Sequence, residues 1–411
     1  MDIASELQRG LALHQQGDLL KAGEVYREIL TYDPDQVDAL NLLGVVMQAA
    51  NDLDLAEDLL KRAIKLDPKY FAPHANLGNA LQATGRILEA IEAFQKALAL
   101  NPKSIETLNN LASALNETEQ FDSARRASDE ALLLEPAFPQ ALINKGNSLS
   151  GLEQTEEAIL CYREALEMSP DNGEALFNLG NAYVDVEDFD AAIIVYGKAV
   201  ELDPENAEKQ YNFGNALLQK GQYSECLKPF EIAIALNPGY VDALCNYASA
   251  LQAIGQTERA VKCLQEAISV DPLSPDLHWN LSLAAIQNGE MEKGWKEYEW
   301  RWEMPTFANF KRDFKEPQWT GESLEGRTIL LHTEQGFGDN IQFCRYIPMV
   351  AECRGKVVLE CRPELEKLFR GLTGVEKTIS LGDPYPDFDV HLPLMSLPHV
   401  FRSNLQNLPA E

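Results

Sequence analysis

Positive charge is what this chain has least of. Over 411 residues, 35 Lys and Arg stand against 64 Asp and Glu, for a formal net charge of −29. The deficit is concentrated before Pro305, where 23 Lys and Arg face 49 Asp and Glu. A surface so acidic repels nucleic acid and anionic lipid, so neither is expected as a partner. Paired cysteines are also missing. Cys161, Cys226, Cys245, Cys263, Cys344, Cys353 and Cys361 form no C-x-x-C pair and no Cys/His metal spacing, which excludes a disulfide frame and predicts no metal. No run approaches the roughly eighteen apolar residues that span a membrane. The opening MDIASELQRG lacks the charged-then-apolar order of a secretion signal. Together these absences predict a soluble, cytoplasmic protein.

What the chain does have is a period. Proline stands at 34, 68, 102, 136, 170, 204, 238 and 272, a spacing of 34 residues without slippage. Three columns of small residues keep the same register. The first runs Gly10, Gly44, Gly78, Ala112, Gly146, Gly180, Gly214, Ala248 and Ser282. The second runs Ala22, Ala56, Ala90, Ala124, Ala158, Ala192, Cys226, Ala260 and Gly294, and the third Ala63, Ala97, Ala131, Ala165, Ala199, Ala233 and Ala267. Small residues at fixed points let two helix backbones approach, while Leu81, Phe94, Tyr162, Tyr183 and Phe230 fill the space beside the contact. Gly17, Gly85, Gly221, Gly255 and Gly289 fall between the two helices, where a C-terminal cap favours positive φ. Each proline then ends the second helix, usually behind Asp or Asn. In the first unit Glu6 and Arg9 replace core residues and Ile29 replaces an alanine, as expected of a solvent-facing end.

Nine such units, covering residues 3 to about 304, resemble the tetratricopeptide repeat. The resemblance implies a mostly α, right-handed solenoid of helix pairs whose first helices line a concave groove. A further column has no packing reason: Asn76, Asn110, Asn144, Asn178, Asn212, Asn246 and Asn280. Asparagine is a poor helix former, yet its amide can both donate to and accept from a peptide backbone. This ladder resembles that of the protein O-linked N-acetylglucosamine transferases, which implies an extended or unstructured polypeptide held in the groove. The competing role is a bond between adjacent repeats that only sets their pitch. The carboxylate clamp of chaperone-tail binders is not expected, because Leu7, Asn41, Ala75, Asn109, Ile143, Phe177, Tyr211, Cys245 and Trp279 include no basic residue.

All five tryptophans, Trp279, Trp295, Trp300, Trp302 and Trp319, lie within about forty residues at the end of the repeats. They predict a body docked on the last helix. Residues 305–326 read as an extended connector. After it the helical period gives way to strands at Thr328–His332, Lys356–Cys361, near Lys377–Ser380 and Phe388–Leu392, alternating with helices. That order predicts a small Rossmann-like parallel sheet over 327–411, following a solenoid over 1–304.

The loop EQGFGDN at 334–340 follows the first strand, where such a sheet binds ligands. Gly336 and Gly338 permit a tight, anion-accessible turn before a helix beginning at Asn340, but Ile341 replaces the third glycine of a dinucleotide fingerprint. The strings LLHTEQGFGDNIQFCRYIP and KVVLECRPELEKLF resemble the N-terminal lobe of two-lobed glycosyltransferases, with a Gly-Asp step similar to that of heptosyltransferases. The resemblance implies Asp339 as general base on an acceptor hydroxyl, with the capping of a helix as its other role. His332 and Glu334 flank the loop as candidates to orient the acceptor. Asp387 and Asp389 spell D-x-D but precede a strand instead of following one, and read as a turn. The resemblance also implies that a second lobe, separate from this chain, holds most of a nucleotide-sugar site, with no other cofactor. Two functions remain: a solenoid presenting polypeptide to a glycosyltransferase, and a non-enzymatic scaffold.

Overall fold

Seven of the nine 34-residue periods fold as a 13-residue helix, a three-residue turn and a 14-residue helix, beginning with Ile3–Gln15 and Leu19–Tyr32. The computed structural model describes residues 1–409 and falls into two compact units, Met1–Pro204 and Glu205–Glu411. The first unit holds six helix pairs, the last being Gly173–Asp185 and Phe189–Leu202. Every turn between paired helices has its left-handed residue in one register. Five are the expected glycines, while Asn51, Glu119, Glu153 and Glu187 take φ of 56 to 60° without being glycine. Each second helix ends on an extended residue before proline, and the side chains of Asp67 and Asn101 accept the backbone N–H two residues on. That local bond explains why Asp and Asn precede the prolines.

The small-residue column is explained by what lies over it. A Cβ on Gly78, Gly146 or Gly180 would meet the rings of Phe94, Tyr162 or Tyr196 at 2.4 to 2.5 Å. Each ring comes from the second helix of the same pair and is buried. Where the column holds Ala112 instead, the facing residue shrinks to Ser128, which is also buried. The contact is therefore a fitted pair, bulky on one helix and absent on the other.

The second unit opens with the pairs Ala207–Gln219 and Leu227–Leu236, Val241–Ala253 and Thr257–Val270, and Pro275–Gln287 and Met291–Tyr298. The helix at Leu227 starts late because Pro229 lacks an N–H and fits only in a first turn. Short 3-10 turns at Glu299–Glu303 and Pro305–Phe310 follow, so the connector begins as helix instead of extended chain. Four strands, β1 (Thr328–His332), β2 (Lys356–Cys361), β3 (Val375–Ser380) and β4 (Val390–Pro393), pair in the order β3-β2-β1-β4. All three pairings are parallel. The rest of the connector runs beside β4, where the Trp319 N–H donates to the His391 carbonyl at 2.9 Å. The fold is thus mostly helical, a tetratricopeptide-type stack with a small parallel sheet.

The sheet has two unlike faces. On one, Ile329, Leu331, Val357, Leu359 and Leu392 join Phe343, Tyr346, Ile347 and Val350 in a single core. Trp295 and Tyr298 of the last repeat belong to that same core, so the chain is continuous in packing across residue 304. The tryptophans divide their roles: Trp295 packs edge-on to Phe343 and Trp319 is buried in the connector, whereas half-buried Trp300 stacks back onto His278. The other face carries Leu330, Val358 and Ile379 under Phe314 and Phe388, with no crossover helix between β3 and β4.

Two outcomes follow from the repeat geometry. Glycine at 119, 153 and 187 relieves a left-handed strain worth roughly 1 kcal/mol per site, so the triple substitution Glu119→Gly, Glu153→Gly, Glu187→Gly is expected to raise the midpoint of chemical unfolding. Gly180→Ala is expected to lower stability by about 1–3 kcal/mol through overpacking against Tyr196. Unchanged urea midpoints in both variants would contradict this account.

Candidate functional site

The asparagine column lies on the first helices, and its amides are used in a consistent way. Asn76 Nδ2 donates to Asn41 Oδ1 at 2.8 Å, Asn110 Nδ2 to Asn79 Oδ1 at 2.8 Å and Asn178 Nδ2 to Asn147 Oδ1 at 2.9 Å. In the second unit Asn246 Nδ2 donates to Asn215 Oδ1 at 3.2 Å. Each bond joins neighbouring first helices, so the ladder does tie repeat to repeat. Asn144 goes further: it is buried and gives its Nδ2 to both the carbonyl and the side chain of Asn109. Asn280 turns to the Asp276 carbonyl of its own helix. Asn212 holds the same place on Ala207–Gln219. Among the described residues, the Oδ1 atoms of partly exposed Asn76, Asn178 and Asn246 accept no hydrogen bond. All three amides retain an acceptor, and Asn76 and Asn178 also a second N–H, whereas Asn246 gives its Nδ2 to the Tyr211 hydroxyl as well, at 3.3 Å. The supporting column Asn79, Asn147, Asn181 and Asn215 keeps the same 34-residue register but is interrupted by Ser113, so it stood out less in the sequence than the unbroken first column.

The second place is the switch point of the sheet, between the ends of β1 and β4. Strand order turns there, and a ligand crevice is expected outside those two strand ends. Here Arg301 reaches it from the tail of the last repeat. Its Nε and one terminal nitrogen hold both Glu334 oxygens at 3.1 and 2.9 Å, and that nitrogen also meets Ser396 Oγ at 2.8 Å. The other terminal nitrogen donates to Glu299 Oε1 and the Tyr298 carbonyl. All five guanidinium donors are thereby matched. The Arg301 and Glu334 side chains are both fully buried. Burial pushes the Glu334 carboxyl up, and the Arg301 charge opposes that shift. Glu334 therefore anchors Arg301 and is not presented to solvent. Nothing in the sequence distinguished Arg301 from its neighbours.

The loop itself differs from the expected tight glycine turn. Its left-handed residue is Gln335, with φ of 52°. Gly336 is extended at the start of a helix over Phe337–Phe343, and Gly338 lies inside that helix. The helix thus begins three residues before Asn340. Asp339 occupies its third position and accepts the Gly336 N–H at 3.1 Å, because a carboxylate there satisfies a free N-terminal donor. One carboxylate oxygen is so used, and the side chain remains partly exposed. Of the D-x-D pair, Asp389 accepts the Thr328 N–H at 2.7 Å and aligns the start of β1.

His332 ends β1 on the same face as Leu330, buried, with Nε2 at 3.2 Å from His391 Nδ1. Burial, then His391, Arg312 and Arg301, depress its pKa to about 3. The ring is neutral at ordinary pH. The unfolded chain takes up a proton below about 6.5 while the folded one does not, so this group's contribution to stability is lost as pH falls from 6.5 toward 3. His332→Gln is expected to flatten that acid limb by up to roughly 1.4 kcal/mol per pH unit, read as unfolding midpoint against pH. Arg301→Ala is expected to cost about 3–5 kcal/mol by stranding Glu334, and Arg301→Ala with Glu334→Gln less than Arg301→Ala alone. Parallel acid limbs in the first experiment, or additive losses in the second, would refute these assignments.

Comparison with known proteins bears on the repeats. Tetratricopeptide-repeat models match residues 13–81, 72–104, 93–126, 146–187, 180–221 and 246–298. The protein FlbA of Caulobacter vibrioides is 35% identical over 69 residues, which are 16% of this chain and 11% of FlbA. Among solved structures, a chain of the APC/C hetero-tetramer Cut9-Hcn1 aligns with a TM-score of 0.53 at 18% identity, over 59% of this chain and 48% of that one. PilF of Pseudomonas aeruginosa aligns at 0.46 with 23% identity, over 51% of this chain and 95% of its own. This chain therefore spans about a tenth of FlbA and less than half of the Cut9-Hcn1 chain. Among the described residues, no helix is long and apolar enough to cross a membrane. On six matched segments and nine helix pairs in one 34-residue register, the chain belongs to the tetratricopeptide-repeat proteins.

Proposed function

We propose that the first helices bind extended polypeptide through the asparagine column. The observation that carries this reading is the part-used amide: Asn76 and Asn178 each spend one N–H on a neighbouring helix, Asn246 gives its Nδ2 to Asn215 and Tyr211, and all three keep an unpartnered Oδ1. The inter-helix bond fixes the amide plane, so the remaining acceptor is pre-oriented and little entropy is lost on binding. A peptide advances about 3.3–3.6 Å per residue, so rungs roughly 10 Å apart meet every third residue, whatever its side chain. The acidic surface favours segments carrying Lys or Arg. Seven free cysteines suit a reducing compartment, and we place the protein in the cytoplasm.

A finer reading makes the sheet the first lobe of a glycosyltransferase to which the bound segment is presented, the second lobe being supplied separately. It is favoured by the β3-β2-β1-β4 parallel order and by partly exposed Asp339 beside the switch point. In it, Asp339 accepts the proton of an acceptor hydroxyl while a nucleotide-sugar is the donor.

For binding, Asn76→Ala with Asn110→Ala and Asn178→Ala is expected to weaken affinity for a fluorescein-labelled, unstructured 20-residue peptide at least tenfold, from roughly 0.5–1.5 kcal/mol per lost bond. Anisotropy titration at a temperature where all variants are folded by circular dichroism separates this from stability. Unaltered affinity would leave the column a purely structural tie. For transfer, Asp339→Asn is expected to abolish labelling of that peptide from a nucleotide-sugar in a preparation reconstituted with a second lobe. Labelling that survives the substitution would exclude Asp339 as the base.

A further inference from the structure

The His332 face of the sheet encloses a cavity of about 220 Å³ in the second unit, walled by Trp302, Lys311, Arg312, Gln318, His332 and His391. Three nitrogens of its wall residues are buried with no hydrogen-bond partner in the protein: Trp302 Nε1, Arg312 Nε and His332 Nδ1. The first two can only donate. The third donates in the tautomer in which His391 Nδ1–H is given to His332 Nε2, across their 3.2 Å contact. His332 is 2% exposed, so its ring is withdrawn from bulk solvent. Leaving one such donor unmatched costs on the order of 1–3 kcal/mol, and three gathered around one cavity call for a common acceptor.

The charges agree with the donors. Lys311 adds an ammonium at the exposed rim, and Arg312 adds a guanidinium. The buried carboxylate of this face, Glu360, is already taken: it meets an Arg312 terminal nitrogen at 3.5 Å and accepts from the Tyr385 hydroxyl at 2.7 Å. Glu316 lies beside His391 on the connector and adds one negative charge at that side. Gln318 contributes an amide to the wall, but no wall residue is a carboxylate.

We propose that this cavity is a binding site for a small oxyanion, the phosphate or carboxylate group of a compact metabolite. At about 30 Å³ per water, its volume holds roughly seven waters. That is room for the anion and a short organic remainder, but below the 300–1,000 Å³ of common cofactor pockets. The site adjoins the Arg301–Glu334 pair, the Arg301 guanidinium lying 4.4 Å from the centre of the Trp302 ring, and it depends on neither reading of the peptide-binding surface. Its position between connector and sheet means that an occupied cavity pins residues 302–318 to β1 and β4.

The test uses the intact chain, with inorganic phosphate, acetate and chloride compared at equal ionic strength by calorimetric titration and thermal unfolding. Phosphate or acetate is expected to saturate one site and raise the unfolding midpoint above that in chloride; whichever is tighter identifies the group. Trp302→Phe deletes one N–H while retaining the ring, and Lys311→Ala alters an exposed side chain. Each is expected to weaken binding about tenfold with the chain still folded. Long-range nitrogen–proton spectra should show His332 Nδ1 protonated and shifted on titration. Equal midpoints in all three salts, or affinities unmoved by both substitutions, would overturn the proposal.

Discussion

A ring seated on a glycine is the contact from which the repeat array is built. Tyr162 over Gly146 and Tyr196 over Gly180 leave no room for a Cβ, so the paired helices can approach at only one height and one rotation. Once that is fixed, the three-residue turn has a single solution, with a left-handed residue at its centre. The turn in its turn sets where the next proline must fall. In the pairs built on Gly10, Gly78, Gly146, Gly180 and Gly214, an insertion of even one residue would move a side chain onto the ring. Where Ala112 takes the glycine's place, the residue in the ring's register is the small, buried Ser128, so the added Cβ meets no ring.

At the other end a charged pair performs the corresponding fixing. Arg301 is fully buried, yet every donor it owns has a partner, drawn from the last repeat, the loop after β1 and the turn after β4. A buried pair of this kind contributes little net stability, because desolvation offsets its attraction. Its value is geometric: only one arrangement of the three segments satisfies it. The same residues occupy the end of the sheet where a parallel sheet of this order would hold a ligand, and the cavity walled by His332 and His391 adjoins them through Trp302.

The two surfaces share a physical logic. On the first helices, amides already committed to a neighbour keep an acceptor free; in the cavity, nitrogens buried by folding keep a donor free. In both cases the fold has covered the desolvation and ordering of polar groups before any partner arrives, which is how pre-organised sites gain affinity.

The period was legible in the sequence because each column answers to a local cause: proline for a helix end, glycine for a turn or a ring. Strand positions in the last hundred residues were legible for the same reason, with β3 beginning at Val375 instead of Lys377 and β4 at Val390 instead of Phe388. The helix at Phe337 was placed three residues late because Gly-Phe-Gly reads as loop, whereas Asp339 caps backward onto Gly336. What the sequence could not contain was partnership across distance. Arg301 with Glu334 and His332 with His391 lie 33 and 59 residues apart, and nothing local marks either pair. Periodicity and capping are properties of neighbours along the chain; the burial that makes an arginine structural, or leaves an imidazole nitrogen without a partner, arises only when the parallel sheet closes against its connector.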